Sequence, residues 1–360
     1  MKIQHLIMKF MFIISFFCML LSTTLAANLP TATIKGTSAN TMPPDEISPP
    51  AGSRFWLNDL VLSSNGQTMY AVDEVNCIIA VTNTTDGSVI KRIKLPVPAT
   101  RCRKLALTPD DKTLYAKGAA TIFKVTLSND VIEEKNIVTV LGGFAIPPIG
   151  DQLYVAEFAT VGESTYIYVL DQKTLQIITK IPKNPPQLFP PLGFTQIGIS
   201  TDSKFAYLLD PRNLSIATLD LTTNQLKLYA IMLFDVATSL AVDSNGLTLY
   251  VISASGTLYS IDLAKNRVTN KVHLTMSPGG VAVTPDSKKV YVTNTISNTV
   301  SVIDATSFVV SNNIAVGDTP TSVKTSMDGT KAYVGNAASG TVSVVDVKTD
   351  KIMQEFKIFN

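Results

Sequence analysis

Short runs of strand-forming residues, separated by turns rich in Asp, Gly, Asn and Ser, recur along most of the chain. The repeat is clearest from Pro278 to Asp346, where three such runs occur twice and Tyr291 and Tyr333 are 42 positions apart. A period of about 40 residues built from short strands is typical of a propeller blade. Because one four-stranded blade cannot bury both of its faces, it must stack on neighbouring blades.

Seven copies of this pattern can be placed from Asn58 to the end of the chain. Each has an apolar first run, a turn and a tyrosine in the second run, and these tyrosines are Tyr70, Tyr115, Tyr154, Tyr207, Tyr250, Tyr291 and Tyr333. The pattern predicts an all-β fold, a seven-bladed β-propeller of four-stranded antiparallel blades. We expect the tyrosines to fill the wedges between adjacent sheets, with their hydroxyls at polar edges.

The clearest copy contains Tyr291-Val292-Thr293-Asn294, preceded by the turn Thr284-Pro285-Asp286 and followed by Ser301-Val302-Ile303-Asp304. These residues resemble the repeat of the bacterial and archaeal YVTN-repeat β-propellers, and weaker copies extend over roughly residues 58–358. That family is mostly exported or cell-surface, seven-bladed and functionally mixed. The resemblance implies the fold and an exported protein, and it leaves the activity open.

Residues 1–26 have the organisation of a signal peptide. Basic residues, including Lys2 and Lys9, precede the apolar run Phe10–Leu21, and the segment ends in small residues. The run is shorter than the roughly 20 residues that a membrane-spanning helix needs, which disfavours the alternative of an uncleaved anchor. We expect cleavage after Ala26 or Ala27 and a periplasmic or secreted mature chain with no transmembrane segment.

The mature chain is predicted to contain a linker over residues 27–52 and a propeller over residues 53–360. The linker contains five prolines and many Thr, Ser and Ala residues. The propeller begins with an inner run and ends with an outer one, so we expect complete first and last blades and a ring closed by packing of sheet faces. The alternative is that residues 31–36 add a strand to the terminal blade.

The charge of the mature chain argues against binding of polyanions. The full sequence has 30 Lys and Arg residues against 28 Asp and Glu residues. Lys2 and Lys9 are lost with the signal peptide, which leaves 28 basic and 28 acidic residues. A chain with no net charge has no global field to attract nucleic acid.

The sequence lacks the residues of the common catalytic and metal sites. His273 is the only histidine of the mature chain, and it lies in an apparent outer strand. Ser-His-Asp sets and sites built on several imidazoles are therefore disfavoured. Haem, phosphate-loop and EF-hand motifs are absent as well. We predict no catalytic residue, no metal and no cofactor, with a lactonase-like hydrolase that uses channel carboxylates as the alternative.

One rim of the predicted propeller is enlarged by insertions. Tyr154 and Tyr207 are 53 positions apart, and residues 157–164 and 183–193 carry the excess. Both insertions join elements on the face where blade-to-blade connections emerge, and loops on a rigid scaffold often carry function. The candidate binding residues on this rim are Arg54, Trp56, Arg101, Arg103, Glu157, Glu163, Phe189 and Arg212. The alternatives are that Trp56 packs against the first blade and that the arginines lie in a solvated loop.

Cys77 and Cys102 are the only cysteines that remain after the signal peptide is removed. Exported proteins meet an oxidising compartment, and both residues lie next to loops on the same face of the first blade. We therefore predict a disulfide between them; the alternative is a pair of separate thiols with Cys77 buried.

Taken together, these features favour an exported, non-catalytic propeller that binds a protein, peptide or glycan of the envelope or exterior on its connection face. The alternatives are the lactonase-like hydrolase and a protein that binds single-stranded nucleic acid through rim arginines and aromatic residues.

Overall fold

Strands and turns make up all the regular structure in the part of the chain that the computed structural model describes. This part comprises residues 37–38, 41–42, 55–96, 101–137, 141–158, 165–182, 193–233, 235–275 and 277–359. The strands form seven antiparallel sheets whose four consecutive strands are ordered from the central channel outwards. The predicted seven-bladed β-propeller is confirmed. The described residues include no helix long and apolar enough to cross a membrane.

The first four blades follow the chain in order. Blade 1 contains β3 (Leu57–Leu62), β4 (Thr68–Asp73), β5 (Ile78–Asn83) and β6 (Val89–Lys94). Blade 2 contains β7 (Lys104–Leu107), β8 (Thr113–Lys117), β9 (Thr121–Thr126) and β10 (Val131–Asn136). Blade 3 contains β11 (Leu141–Ala145), β12 (Gln152–Glu157), β13 (Ile167–Asp171) and β14 (Ile177–Ile181). Blade 4 contains β15 (Gln196–Ile199), β16 (Phe205–Asp210), β17 (Ser215–Asp220) and β18 (Gln225–Met232).

The last three blades have the same composition. Blade 5 contains β19 (Ala237–Val242), β20 (Thr248–Ser253), β21 (Thr257–Asp262) and β22 (Arg267–His273). Blade 6 contains β23 (Pro278–Val283), β24 (Lys289–Asn294), β25 (Thr299–Asp304) and β26 (Val309–Ala315). Blade 7 contains β27 (Pro320–Thr325), β28 (Lys331–Asn336), β29 (Thr341–Asp346) and β30 (Lys351–Lys357).

The turn between the first and second strands explains the recurring glycines of the sequence. Gly66, Gly246 and Gly329 occupy the same turn position with φ near +70° (68°, 69° and 70°). In this left-handed region a side chain is strained, which favours glycine. Asp111 and Ser287 adopt a positive φ at the same position in other blades. These residues are thus turn formers, as the sequence predicts.

Seven apolar clusters form the core, one between each pair of neighbouring blades. The second-strand tyrosines each join one cluster, from Tyr70 between blades 1 and 2 to Tyr333 between blades 7 and 1. Three hydroxyls donate to polar groups: those of Tyr115 to the Gln172 carbonyl (2.5 Å), of Tyr154 to Gln152 Oε1 (2.6 Å) and of Tyr291 to Asp350 Oδ1 (2.9 Å). The predicted packing role of the tyrosines is confirmed.

The ring closes by packing of the faces of blades 7 and 1. Each of these blades draws its four radial strands from one consecutive stretch of chain. The Thr321 hydroxyl donates to the Leu57 carbonyl (3.0 Å), and Arg92 donates to the Ile358 carbonyl (2.9 Å). The ring of Phe359 stacks on Phe55 with centroids 5.4 Å apart. The expectation of two complete terminal blades is confirmed.

The segment before blade 1 adds two short strands to the outside of the propeller. Strand β1 (Thr37–Ser38) pairs with β10 of blade 2, and β2 (Thr41–Met42) pairs with β6 of blade 1. Their pairing partners belong to blades 1 and 2, so neither strand belongs to blade 7. Residues 31–36, for which an added strand was the alternative, lie outside the described residues.

Candidate functional site

The site is built on the connection face, which we define as the face that carries the blade-to-blade connections and the loops between second and third strands. Five of the eight rim candidates lie in the described part of the chain. Arg54, Glu163 and Phe189 lie outside it. The described candidates fall into two groups, one at blades 1 and 2 and one at blades 3 and 4.

Trp56 and Arg103 are brought together by a residue that the sequence analysis missed, Glu74. The Glu74 amide donates to the Trp56 carbonyl (2.9 Å), while Arg103 Nε donates to Glu74 Oε1 (2.7 Å). Asn58 Nδ2 donates to the other oxygen of the Glu74 carboxylate. Trp56 remains 36% exposed and the Arg103 side chain 43% exposed. The backbone of Trp56 and the guanidinium of Arg103 thus both bind Glu74, and the two side chains are each partly exposed.

Arg101 and Arg103 point away from the core because the residue between them points into it. Cys102 is completely buried, whereas Arg101 is exposed. Arg101 also adopts a positive φ of 58°, which turns the connection between blades 1 and 2 sharply at this point. Side chains thus alternate in direction over residues 101–103, and both arginines are directed to the connection face.

The sulfur atoms of Cys77 and Cys102 meet in the core between blades 1 and 2. Both residues are buried members of one apolar cluster, and the structure holds both as thiols. The hydrogen bond from Cys102 lowers the pKa of Cys77, while the neighbouring thiol and burial raise the pKa of Cys102. Cys77 is therefore the thiol that ionises first. The predicted disulfide is not formed here, although the two residues are adjacent as the prediction requires.

Glu157 differs in position from the sequence prediction, which placed it in a loop insertion. It is the last residue of β12 and only 4% exposed. Its Oε2 accepts a hydrogen bond from the Tyr166 amide (2.9 Å). The placement in a loop was wrong because Glu157 occupies the ordinary last position of the second strand, as Asp73 does in blade 1 and Asp210 in blade 4, and pairs with Leu141.

Arg212 lies in the second group and contacts Phe158, another residue that the sequence analysis missed. Its guanidinium lies 4.0 Å from the centroid of the Phe158 ring, a cation–π distance. Phe158 forms an isolated β-bridge with Gly193, so its backbone is held between blades 3 and 4. Burial lowers the pKa of Arg212. The arrangement presents a half-buried cation beside both insertions.

Three positions after the second-strand tyrosine, six of the seven blades have a polar residue, and the chemical type of this residue differs between the two halves of the ring. Blades 1, 3 and 4 have carboxylates there, and blades 5, 6 and 7 have neutral groups; the residues are Asp73, Glu157, Asp210, Ser253, Asn294 and Asn336. Asp73 accepts hydrogen bonds from the amides of Trp56 (2.9 Å) and Val75 (3.1 Å). Burial raises the pKa of Asp73 and of Asp210. These buried carboxylates therefore serve as hydrogen-bond acceptors for the backbone of the adjoining loops.

The central channel has a volume of about 360 Å³, and both polar and apolar residues of the inner strands line it. Asp59 is the one carboxylate that lines it within the described residues. Oδ2 of Asp59 accepts a hydrogen bond from the Leu105 amide (3.1 Å), and Oδ1 lies 4.0 Å from Lys104 Nζ. The described residues contain no group of three or more His, Cys, Asp or Glu side chains suited to a metal ion. The carboxylate cluster that the hydrolase alternative needs is not found among them.

A buried lysine, Lys117, stands beside this channel in blade 2. It is directly opposite Lys104 in the pairing of β7 with β8. Its Nζ donates to the Leu141 carbonyl of blade 3 (3.0 Å), and no ion pair joins it to a described carboxylate. Burial, with the nearby charges of Arg103 and Lys104, lowers the pKa of Lys117 to about 7. No motif in the sequence marked this residue, because its burial depends on the packing of blade 2 on blade 3.

His273 is the last residue of β22, the outer strand of blade 5, and is exposed. This position agrees with the outer-strand prediction and separates the imidazole from both groups of candidates on the connection face.

Comparison with known proteins supports the fold. No protein-family model matches the chain, and no curated protein matches it. Among solved structures, the chain is similar to Kuenenia stuttgartiensis hydrazine synthase, with 16% sequence identity and a TM-score of 0.71. The alignment covers 84% of this chain and 98% of that chain. At this identity the similarity shows the fold alone.

Proposed function

We propose that this chain is an exported, non-catalytic propeller of the YVTN-repeat type that binds a protein, peptide or glycan on its connection face. The observation that carries the proposal is the exposed corner formed by Trp56, Glu74 and Arg103. Interfaces are enriched in Trp and Arg, which give large contact areas and directional hydrogen bonds. Both residues sit at the starts of inner strands, so the scaffold holds them in place before a ligand arrives.

The chemistry of this corner favours a ligand with an acidic group next to an apolar or sugar surface. Arg103 uses Nε for Glu74, and its two Nη groups donate to none of the described residues. These groups have the geometry that binds a carboxylate through two parallel hydrogen bonds. The partly exposed Trp56, whose backbone is joined to Arg103 through Glu74, offers an aromatic surface for stacking. An acidic peptide segment or a glycan with acidic sugars meets both requirements.

The two alternatives gain no support from the described residues. A hydrolase of the lactonase type needs several carboxylates that converge on the channel, and Asp59 is the one described there. Its carboxylate is already engaged by the Leu105 amide. Binding of single-stranded nucleic acid needs a basic groove along the strand path, whereas the mature sequence has 28 basic and 28 acidic residues.

We also propose export and oxidation as part of this function. The signal peptide is removed after Ala26 or Ala27, and Cys77 and Cys102 then form a disulfide. The Cys77 thiolate attacks an exogenous disulfide oxidant to give a mixed disulfide, and the Cys102 thiolate displaces the oxidant. The two cysteines lose two electrons and two protons, and the oxidant is reduced to a dithiol. The bond would fix the connection that carries Arg101 and Arg103.

Arrays of acidic and neutral peptides and glycans test the binding proposal. The mature protein is compared with Arg103→Ala and with Arg267→Ala, which removes an exposed arginine from the outer strand of blade 5. We expect acidic ligands whose signal falls in Arg103→Ala and persists in Arg267→Ala. Ligands bound equally by both variants would place the binding site elsewhere. Turnover of lactones or esters by the mature protein would favour the hydrolase alternative.

A further inference from the structure

The loop between β4 and β5 of blade 1, residues 74–76 on the connection face, is held by the carboxylate of Asp73. Oδ1 of Asp73 accepts hydrogen bonds from the amides of both Trp56 (2.9 Å) and Val75 (3.1 Å), so the backbones of these two residues adjoin. Oδ2 accepts from the amide (3.3 Å) and the side chain (2.5 Å) of Asn76. The shape of the loop is therefore set before a ligand arrives.

The polar groups of this loop are already engaged within the protein. Asp73 is completely buried, and the Glu74 side chain is 12% exposed. The two oxygens of Glu74 accept hydrogen bonds from Arg103 and Asn58, and its amide donates to the Trp56 carbonyl (2.9 Å). A glycan must replace the hydrogen bonds that its hydroxyls lose with water. The loop has few groups left with which to do so.

The loop presents an aliphatic side chain instead. Val75 is 56% exposed, and Trp56, whose backbone adjoins it, is 36% exposed. Such side chains release free energy when an apolar side chain of a partner covers them. Sugar hydroxyls placed against an aliphatic side chain find no hydrogen-bond partner there. These two residues therefore favour a ligand with an apolar side chain.

Basic residues predominate next to the loop. Lys94 Nζ donates to the carbonyl of Asn76, and Arg103 is bound to Glu74. Arg101 is exposed two positions before Arg103. The carboxylates that bind the loop within the described residues, Asp73 and Glu74, are fewer and are mostly withdrawn from solvent. This balance of charge is complementary to acidic side chains of a partner.

We propose that Val75, Trp56 and Arg103 bind a peptide segment of a protein partner in which an apolar side chain lies close to acidic ones. An acidic side chain of the segment binds the Nη groups of Arg103, and the apolar side chain covers Val75. This inference rests on the binding function proposed above and selects a peptide rather than a glycan as the ligand.

An array of seven-residue peptides that covers every order of Glu, Leu and Ser, probed with the mature protein, tests this inference. We expect the strongest binders to contain both Glu and Leu. Replacing their Leu residues by Ser should weaken binding at least about fivefold, and replacing their Glu residues by Gln at least about tenfold. The acidic glycan tetragalacturonate should bind more weakly than these peptides. An array without binders, strongest binders that lack Leu, or tighter binding of tetragalacturonate would refute the inference.

Two valine variants locate the apolar contact. Val75→Ser should weaken binding of the strongest peptide about fivefold. The loop is retained in this variant, because residue 75 binds Asp73 through its amide. Val309→Ser is the matched control, since Val309 is 58% exposed at the start of the outer strand of blade 6. We expect it to bind the peptide as the unmodified protein does.

Arg103→Ala separates a failure of this inference from a failure of the proposed function. If Arg103→Ala loses peptide binding while Val75→Ser retains it, the binding surface stands and the apolar contact is refuted. If neither variant binds more weakly than Val309→Ser, both the inference and the proposed surface are wrong. Losses in both variants, with none in Val309→Ser, support the inference.

Discussion

Lys104 and Lys117 lie directly opposite each other on the two inner strands of blade 2, although only Lys104 reaches the channel. Lys117 is buried against blade 3, and burial lowers its pKa from the ordinary 10.5 to about 7. A lysine with a depressed pKa destabilises the folded state when the solution would protonate it. This penalty is fully present below pH 7, decreases as the pH rises, and vanishes above the pKa of the unfolded chain.

Replacement of Lys117 by Met should therefore stabilise the protein in a pH-dependent way. At about pH 7 we expect a gain of a few kcal/mol in the free energy of unfolding, and at about pH 9.5 only a small part of that gain. Urea unfolding at both pH values measures the difference, with Lys112→Met as an exposed control. A loss of stability of equal size at both pH values would contradict the depressed pKa.

The disulfide proposal predicts that the mature protein isolated from an oxidising compartment contains a Cys77–Cys102 bond. Closing this loop should stabilise the folded state by roughly 3 kcal/mol on the chain-entropy model. Non-reducing peptide mapping should recover the two cysteine peptides joined, and reduction should lower the melting temperature. Recovery of both residues as separate, alkylatable thiols would disprove the bond.

Face packing between blades 7 and 1 predicts which part of the chain holds the ring closed. Phe356 is buried in the cluster shared by these blades, so Phe356→Ala should cost about 3–5 kcal/mol. Deletion of residues 27–50 removes only the four residues of β1 and β2 from the described strands and should cost much less. Phe205→Ala, at a 38% exposed position, is the control.

Urea unfolding compares these three variants. If the deletion costs more than Phe356→Ala, then the N-terminal segment contributes more to closure than the packed faces do, and the description of the ring as closed by blades 7 and 1 is wrong.

The fold was predictable because each blade repeats a local pattern. The tyrosine of the second strand and the glycine of the first turn recur at fixed register positions, and both follow from short-range chemistry: an aromatic side chain between sheets and a positive φ in a tight turn. Tyr291 and Gly329 could be assigned from the sequence without knowing which blades touch.

The site was less predictable because its residues depend on contacts between blades. Glu74 joins Trp56 to Arg103 across the boundary of blades 1 and 2, and the burial of Lys117 arises at the boundary of blades 2 and 3. Phe158 could be recognised as part of the site only from its contact with Arg212 in the next blade. A repeat pattern fixes which residues occupy equivalent positions, whereas the side chains that converge differ from one boundary to the next.

The fluorescence of Trp56 gives the most direct test of the proposed binding surface, because it is the only tryptophan in the chain. The mature protein is titrated with the strongest acidic ligand from the arrays and with its neutral counterpart. We predict a saturable change in emission with the acidic ligand, and affinity about tenfold lower or worse both for the neutral ligand and in Arg103→Ala. Tight binding that leaves Trp56 emission unchanged and is unaffected by Arg103→Ala would contradict the account.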